Sequence, residues 1–538
     1  MRTKRFVGLF SLLLLIHLGG LFSPLTAGGG PSRTEFPQVP AAGVPLSSLQ
    51  VSNLGGGDRF GHSLALSGDT LVVGAPFEDS NTTGMNGDQG DNSAPGAGAV
   101  YVFIRNGGNW VQQAYLKASN TGAGDNFGFS VAIEGDTLVV GAPFEASNAT
   151  GINGIQGDNS APGAGAVYVF TRALGVWTQQ AYLKASNTGA GDNFGFSVAL
   201  SGDTLVVGAP FEDSDATGVN ANQGSNAAPN AGAAYVFVRT LEAWSQQAYL
   251  KASNTDPEDR FGWSVAVAED TAVIGAIGEA GNALGVNGNQ GSNAAPNAGA
   301  AYVFVRAVGF WNPQAYVKAS NTDAGDRFGW SVAVAGDTAV IGAVGEASNA
   351  TGTNGNQGND SAPGAGAAYV LVRTGGVWVQ QAYLKASNTD TGDGFAHSVV
   401  LEGDTMVIGA PGEASNATGV NGTQGNNSAP GAGAAYVFIR TGGVWIQQAY
   451  LKASNTGAGD QFGWFVTLSG DTAVVGAIGE ASNTTGINGN QGNNSAPGAG
   501  AAYVFIRAVS FWNQQAYLKA SNTGAADRFG VFLPIIIR

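Results

Sequence analysis

Short apolar runs, each bounded by Gly, Asn or Asp, follow one another along the chain, and past residue 27 none carries a helical period. One stretch shows the pattern. Phe127 to Ile133 (FGFSVAI) alternates and is rich in β-formers. Glu134-Gly135-Asp136-Thr137 follows, a Gly-Asp turn suited to a tight hairpin. Leu138 to Ala142 is apolar throughout, as a strand buried on both faces would be. A long Gly/Asn-rich loop then leads to Ala166–Arg172, a short turn, and Trp177–Ser186. These four runs predict strands A, B, C and D of an antiparallel unit.

The unit recurs. Its phenylalanine stands at Phe60, Phe127, Phe194, Phe261, Phe328, Phe395, Phe462 and Phe529, always 67 residues apart. An unbroken period of this length is one supersecondary unit copied in tandem. Strands B and C occur seven times. The prediction is therefore an all-β, seven-bladed β-propeller of four-stranded antiparallel blades with a 67-residue repeat, which protects its sheet edges by radial closure. A linear stack of blades is the alternative. Residues 45–53 resemble a strand D, and residues 528–538 resemble a strand A; one of them is expected to lock the ring by completing a terminal blade. In such a meander the A–B and C–D turns share one face, while the long B–C loops and the D–A links share the other.

The residues FGFSVAIEGDTLVVGAP and GAVYVF, repeated seven times, resemble the FG-GAP repeat family, the propeller repeat of integrin α subunits and of many exported bacterial proteins. The resemblance implies a seven-bladed propeller used for extracellular recognition, often adhesion. The resemblance covers about residues 46–530, and the chain is expected to divide into a signal peptide (1–27), a linker (28–45), the propeller (46–530) and an apolar C-terminal tail (531–538). The chain departs from the family in places. Ala396 replaces the Gly of Phe-Gly, and Gly-Ala-Pro becomes Gly-Ala-Ile or Gly-Ala-Val at Ile277, Val344 and Ile478. Integrin-type calcium loops lie between the first two strands, where this chain has only Glu-Gly-Asp-Thr or a similar turn, so that calcium site does not carry over.

Composition narrows the function. The N-terminus has a basic start (Arg2, Lys4, Arg5), an apolar run from Phe6 to Phe22 and small residues at Leu25-Thr26-Ala27, which reads as a secretory signal peptide. After its removal no membrane span is expected, and the protein is placed outside the cell or at its surface. The formal charge of −15 becomes −18 without those three cations, which removes a nucleic-acid footprint. There is no Cys, and outside the signal peptide only His62 and His397 remain, at one repeat position. No catalytic residues are assigned, and an exported hydrolase would have to work through those two histidines.

Two candidate sites remain. The residue two after the repeat phenylalanine reads His62, Phe129, Phe196, Trp263, Trp330, His397 and Trp464. Strand A is innermost in a propeller, so these residues are expected to ring the channel mouth, either as packing between blades or as an aromatic platform for sugars or apolar side chains. The second candidate is calcium. Asp58 with Glu78, and Asp125 with Glu145, pair carboxylates beside a loop that in the first blade also carries Asp88 and Asp91. The competing reading gives each blade a local ion pair among its repeat Lys, Asp and Glu. Apart from calcium no cofactor is expected. The expected function is non-catalytic binding of an extracellular glycan or surface protein through the long loops; the alternative is a structural envelope or spacer protein.

Overall fold

The computed structural model describes residues 57–519 apart from residue 485. The signal peptide, the linker and both flanking pieces (45–53 and 528–538) lie outside the described residues. The described chain forms seven four-stranded sheets, each in the order A-B-C-D and antiparallel throughout. In the second repeat the strands are Ser130–Glu134, Thr137–Ala142, Ala166–Ala173 and Val176–Leu183. The sheets close into a ring, a seven-bladed β-propeller.

Strand B is buried along its whole length in every blade, as its unbroken apolar run predicts. Strand A departs from the expectation in an informative way. In blades 1, 2, 3 and 6 it begins at the serine (Ser63, Ser130, Ser197, Ser398), and the Phe-Gly step before it (Phe395-Ala396 in blade 6) is a turn. In blades 4, 5 and 7 it begins at Phe261, Phe328 and Phe462, and a register shift absorbs the next residues. Strand D ends at Leu183 rather than Ser186, so Lys184 already belongs to the link.

Each apolar core lies between two blades, not within one. The second core joins Val72, Val102 and Leu116 of blade 1 to Phe127, Val140, Phe170 and Trp177 of blade 2. A single sheet would expose this face, which is why one blade cannot stand alone. A polar clasp repeats on the A–B turn side. Arg172 bonds Asp136 of its own turn at 2.6 Å, reaches Thr70 of the preceding blade at 3.0 Å and lies over the Trp177 ring at 5.0 Å. Trp177 in turn donates to Gln113 of the preceding blade at 2.9 Å.

The ring closes by the same packing of blade 7 on blade 1. Phe60, Leu64 and Leu71 share a core with Val474, Val504 and Leu518, and Arg105 reaches Thr472 at 3.0 Å. Every sheet takes all four strands from one repeat; the expected lock by a flanking piece lies outside the described residues. Among the described residues the seventh junction lacks two contacts that other junctions make. Trp110 is buried with its indole N–H unpaired, while Gln515, which stands where Gln113 stands for Trp177, donates to the Gly108 carbonyl. Phe465 occupies the position that in the other six blades holds a serine bonded to the next blade. Backbone amides of blades 1 and 7 are therefore expected to exchange with deuterium before those of blades 3 to 5, read by native-state hydrogen exchange.

Candidate functional site

The channel mouth on the long-loop face is built by the starts of the seven inner strands. There the structure brings all seven predicted side chains together. Ring centroids run His62–Phe129 4.8 Å, Phe129–Phe196 5.0 Å, Phe196–Trp263 4.8 Å and Trp263–Trp330 5.3 Å. Trp330–His397 at 5.6 Å and His397–Trp464 at 4.4 Å continue the circle. Phe465, not Trp464, closes it against His62 at 5.7 Å. All the recorded pairs in the circle are tilted by about 45–55°, a geometry in which each contact adds roughly 0.5–1.5 kcal/mol beyond burial. His62 is buried and the other six are half-buried. They therefore pack on one another and still present part of each ring at the mouth.

The two histidines are held neutral. Burial, then the nearby Arg59 guanidinium, lowers the His62 pKa to about 3. Burial lowers His397 to about 4, and its Nδ1 lies 3.0 Å from the Trp464 carbonyl, an acceptor that requires the proton on Nδ1.

A second layer escaped the sequence reading. In blades 1 to 3 the residue after Gly-Ala-Pro is Phe77, Phe144 or Phe211, edge-on to His62, Phe129 and Phe196 at 6.4, 6.3 and 6.1 Å. In blades 4 to 7 it is Gly278, Gly345, Gly412 or Gly479. A Cβ on Gly278 would overlap the Glu258 carbonyl, and its N–H bonds the Asp259 carbonyl at 3.0 Å. The loop there sinks onto the link. The signal was present: Phe gives way to Gly in every blade that carries Trp263, Trp330 or Trp464. Arg59 over Phe77 (4.7 Å) and Arg327 over Trp330 (5.7 Å) add guanidinium groups beside the rings.

The carboxylates serve the scaffold. Glu145 receives Lys184 at 2.9 Å and Asn120 at 2.8 Å, and Glu78 receives Lys117 at 2.8 Å. All seven blades carry this buried Lys–Glu pair at 2.6–2.9 Å, so the local ion-pair reading holds for the glutamates. Asp125 accepts the Gly122 N–H at 2.8 Å beside Glu145, and Asp58 is buried at the same place in blade 1. Asp88 and Asp91 stand apart in the loop, each accepting an N–H two residues on at 2.9 Å. Among the described residues no three His, Asp or Glu side chains converge to hold a metal ion. The neutralising charge at the Asp–Glu pairs comes from lysine.

Burial and the neighbouring glutamate set a pH dependence. Burial first, then Glu145, raises Asp125 to about 7; burial likewise raises Asp192, Asp326, Asp393 and Asp460 to about 7 and Asp259 to about 8. A carboxyl raised in the folded state binds its proton more tightly there, so folding stability falls as pH rises from about 4 to about 8. The histidines act oppositely, because the unfolded chain takes up their protons below about 6.5. Six carboxyls outweigh two imidazoles. Denaturant midpoints are expected to be higher at pH 5 than at pH 8.

The FG-GAP repeat family model matches residues 47–103, 110–170, 177–237, 244–304, 311–371, 378–438 and 445–505. The chain belongs to the FG-GAP repeat family. No curated protein matches it closely enough to name a relative. From the second match on, each FG-GAP unit runs from strand D of one blade to strand C of the next, so the D–A link is part of the repeat itself. The FG-GAP fold supports a binding or structural module. Among the described residues no helix is long and apolar enough to cross a membrane.

Proposed function

We propose that this FG-GAP propeller is an exported, non-catalytic binding module that takes a glycan at the aromatic mouth of its long-loop face. The carrying observation is the circle of rings, six of the seven half-buried, on the face that also bears all seven B–C loops. Aromatic faces suit the apolar faces of sugars, and partial exposure leaves room for them. The loops are held in place as well: in blade 2, Asn153 and Tyr182 exchange two hydrogen bonds and Lys184 N–H bonds Gly151. A prepared rigid surface loses less entropy on binding. Near-identical blades suit a repetitive polymer, which several of them can engage at once.

Replacing Trp263 and Trp330 together by Ala is expected to lower glycan binding at least tenfold on an array, with the β-sheet circular dichroism of the ring unchanged. Undiminished binding would remove the mouth as the site. A chain that binds no glycan or cell-surface extract at all would favour the spacer reading, since the buried ion pairs and clasps serve a scaffold equally well. The hydrolase reading has little chemical support, because both histidines lie in the ring stack with depressed basicity.

A further inference from the structure

The face opposite the aromatic mouth carries a second circle, made of hydrogen bonds between A–B turns. The last residue of strand A in one blade accepts the first turn N–H of the next. Ser67 takes the Gly135 N–H at 3.1 Å, Glu134 takes Gly202 at 2.6 Å, Ser201 takes Glu269 at 3.1 Å, Glu402 takes Gly470 at 2.7 Å and Ser469 takes Gly68 at 3.2 Å. Two junctions break the series. Ala268 and Ala335 stand at the acceptor position before Gly336 and Gly403, and a methyl group accepts nothing. At the place of the missing side chain between blades 5 and 6 lies a cleft of about 610 Å³, with Ala335 and Gly403 in its wall. That size falls in the range of small-molecule sites, roughly 300–1,000 Å³.

Two guanidinium groups line the same cleft. Arg373 is pinned by Asp337 at 2.6 Å and Thr271 at 3.0 Å, and Arg440 by Asp404 at 2.6 Å and Thr338 at 3.0 Å. They lie over the rings of Trp378 and Trp445, each at 5.1 Å. Nε and Nη1 make these bonds, and neither Nη2 has a partner among the described residues. The two side chains are 19% and 21% exposed, so a ligand can reach them. We infer that this cleft binds a sugar acid, its carboxylate on the Gly403 N–H with Arg440 and Arg373 as the flanking cations. The repeat supplies the template. Three repeats earlier Glu134 places a carboxylate oxygen on the Gly202 N–H, with Arg172 and Arg239 at the places of Arg373 and Arg440; one repeat later Glu402 does the same on Gly470. The cleft aspartates do not forbid the added charge, because Asp136 and Asp203 hold the same places beside Glu134. Asp337 and Asp404 are exposed, and ionised carboxylates accept from hydroxyl groups. Donors for one carboxylate beside acceptors for hydroxyls match a polyhydroxy acid. The cleft lies on the face away from the aromatic mouth and does not rest on the glycan reading of that mouth.

Titration calorimetry on the full-length chain tests this, with D-galacturonate, D-galactose and polygalacturonate as probes. D-Galacturonate is expected to bind, and D-galactose to bind on the order of tenfold or more weakly, since it makes no charge-assisted hydrogen bond. Ala335→Glu supplies the carboxylate from within the chain, as Glu134 and Glu402 do, and is expected to lower affinity for the acid by a similar factor with circular dichroism unchanged. Ser201→Glu adds the same charge two junctions away and leaves binding as it was. Trp263→Ala with Trp330→Ala, on the far face, also leaves it, so failure of the mouth and failure of the cleft are told apart. Binding of D-galacturonate assigns the free acid as ligand; binding of polygalacturonate alone, lost in Ala335→Glu, assigns the acid within a polymer. Binding of neither acid, equal binding of galactose, full affinity in Ala335→Glu, or an equal loss in Ser201→Glu overturns the proposal.

Discussion

Lys251→Met lowers the stability of the ring by about 3–5 kcal/mol, the cost of leaving a fully buried charge without its partner. The ammonium of Lys251 is buried and lies 2.9 Å from Glu212. Burial lowers its pKa and the glutamate opposes that shift, which shows the charge is carried at the expense of desolvation. Methionine keeps the stem length and removes the charge. Glu212 then keeps only neutral donors, Asn187, Tyr249 and the Ser214 N–H. The control is Lys251→Met with Glu212→Leu, which removes both charges and is expected to recover most of the loss. Urea unfolding of the two variants gives the answer. If the single variant loses under 1 kcal/mol, solvent reaches the pair and the ring is looser than described. The same substitution at Lys318 or Lys385 should cost the same within error, since their surroundings repeat.

Gly165→Ala is expected to cost about 2–5 kcal/mol. Gly165 ends the B–C loop at φ +79°, a conformation that penalises any Cβ by roughly 1–2 kcal/mol. Its would-be Cβ also meets the backbone of Phe194 in the next blade, overlapping the carbonyl and lying 2.5 Å from the nitrogen. Backbone on both sides cannot yield as a side chain can, so overpacking adds to the penalty. The neighbouring Phe194 N–H bonds the Ala164 carbonyl at 3.0 Å, so the clash falls on a seam between blades. Gly135→Ala is the comparison. It also has a positive φ, +56°, but nothing lies within 4 Å of its Cβ, and only the conformational penalty is expected. Thermal midpoints of the two variants separate crowding from backbone preference; equal losses would mean the seam is not close-packed.

The period of 67 residues made the fold legible, because a closed ring lets every one of seven similar sheets bury both faces, which a linear stack denies its two end sheets. The lysine–glutamate pairs were legible for the same reason: a charge with a fixed repeat address needs a fixed partner. What the pattern could not show is contact between repeats. Arg172 reads as the end of a strand, and only the ring reveals that it spans to Thr70 of the preceding blade. The aromatic circle was anticipated by position, yet its closure by Phe465 depends on where the strand A bulge in blade 7 turns a side chain. The two strand A forms were likewise hidden, since Phe-Gly-Phe and Phe-Gly-Trp look equivalent along the chain; the strand starts at the phenylalanine only in the three blades that carry Trp263, Trp330 and Trp464.

The exchange of Phe77, Phe144 and Phe211 for glycine in the other four blades has a consequence for approach. It divides the entrance into a raised arc of three blades and a lowered arc of four, with the three indoles of Trp263, Trp330 and Trp464 all on the low side. A guest arriving there does not meet seven equivalent doorways. It meets a threshold with a front and a back, so a long glycan bound as proposed is expected to lie across it in one heading, over the indoles and against the phenylalanine wall.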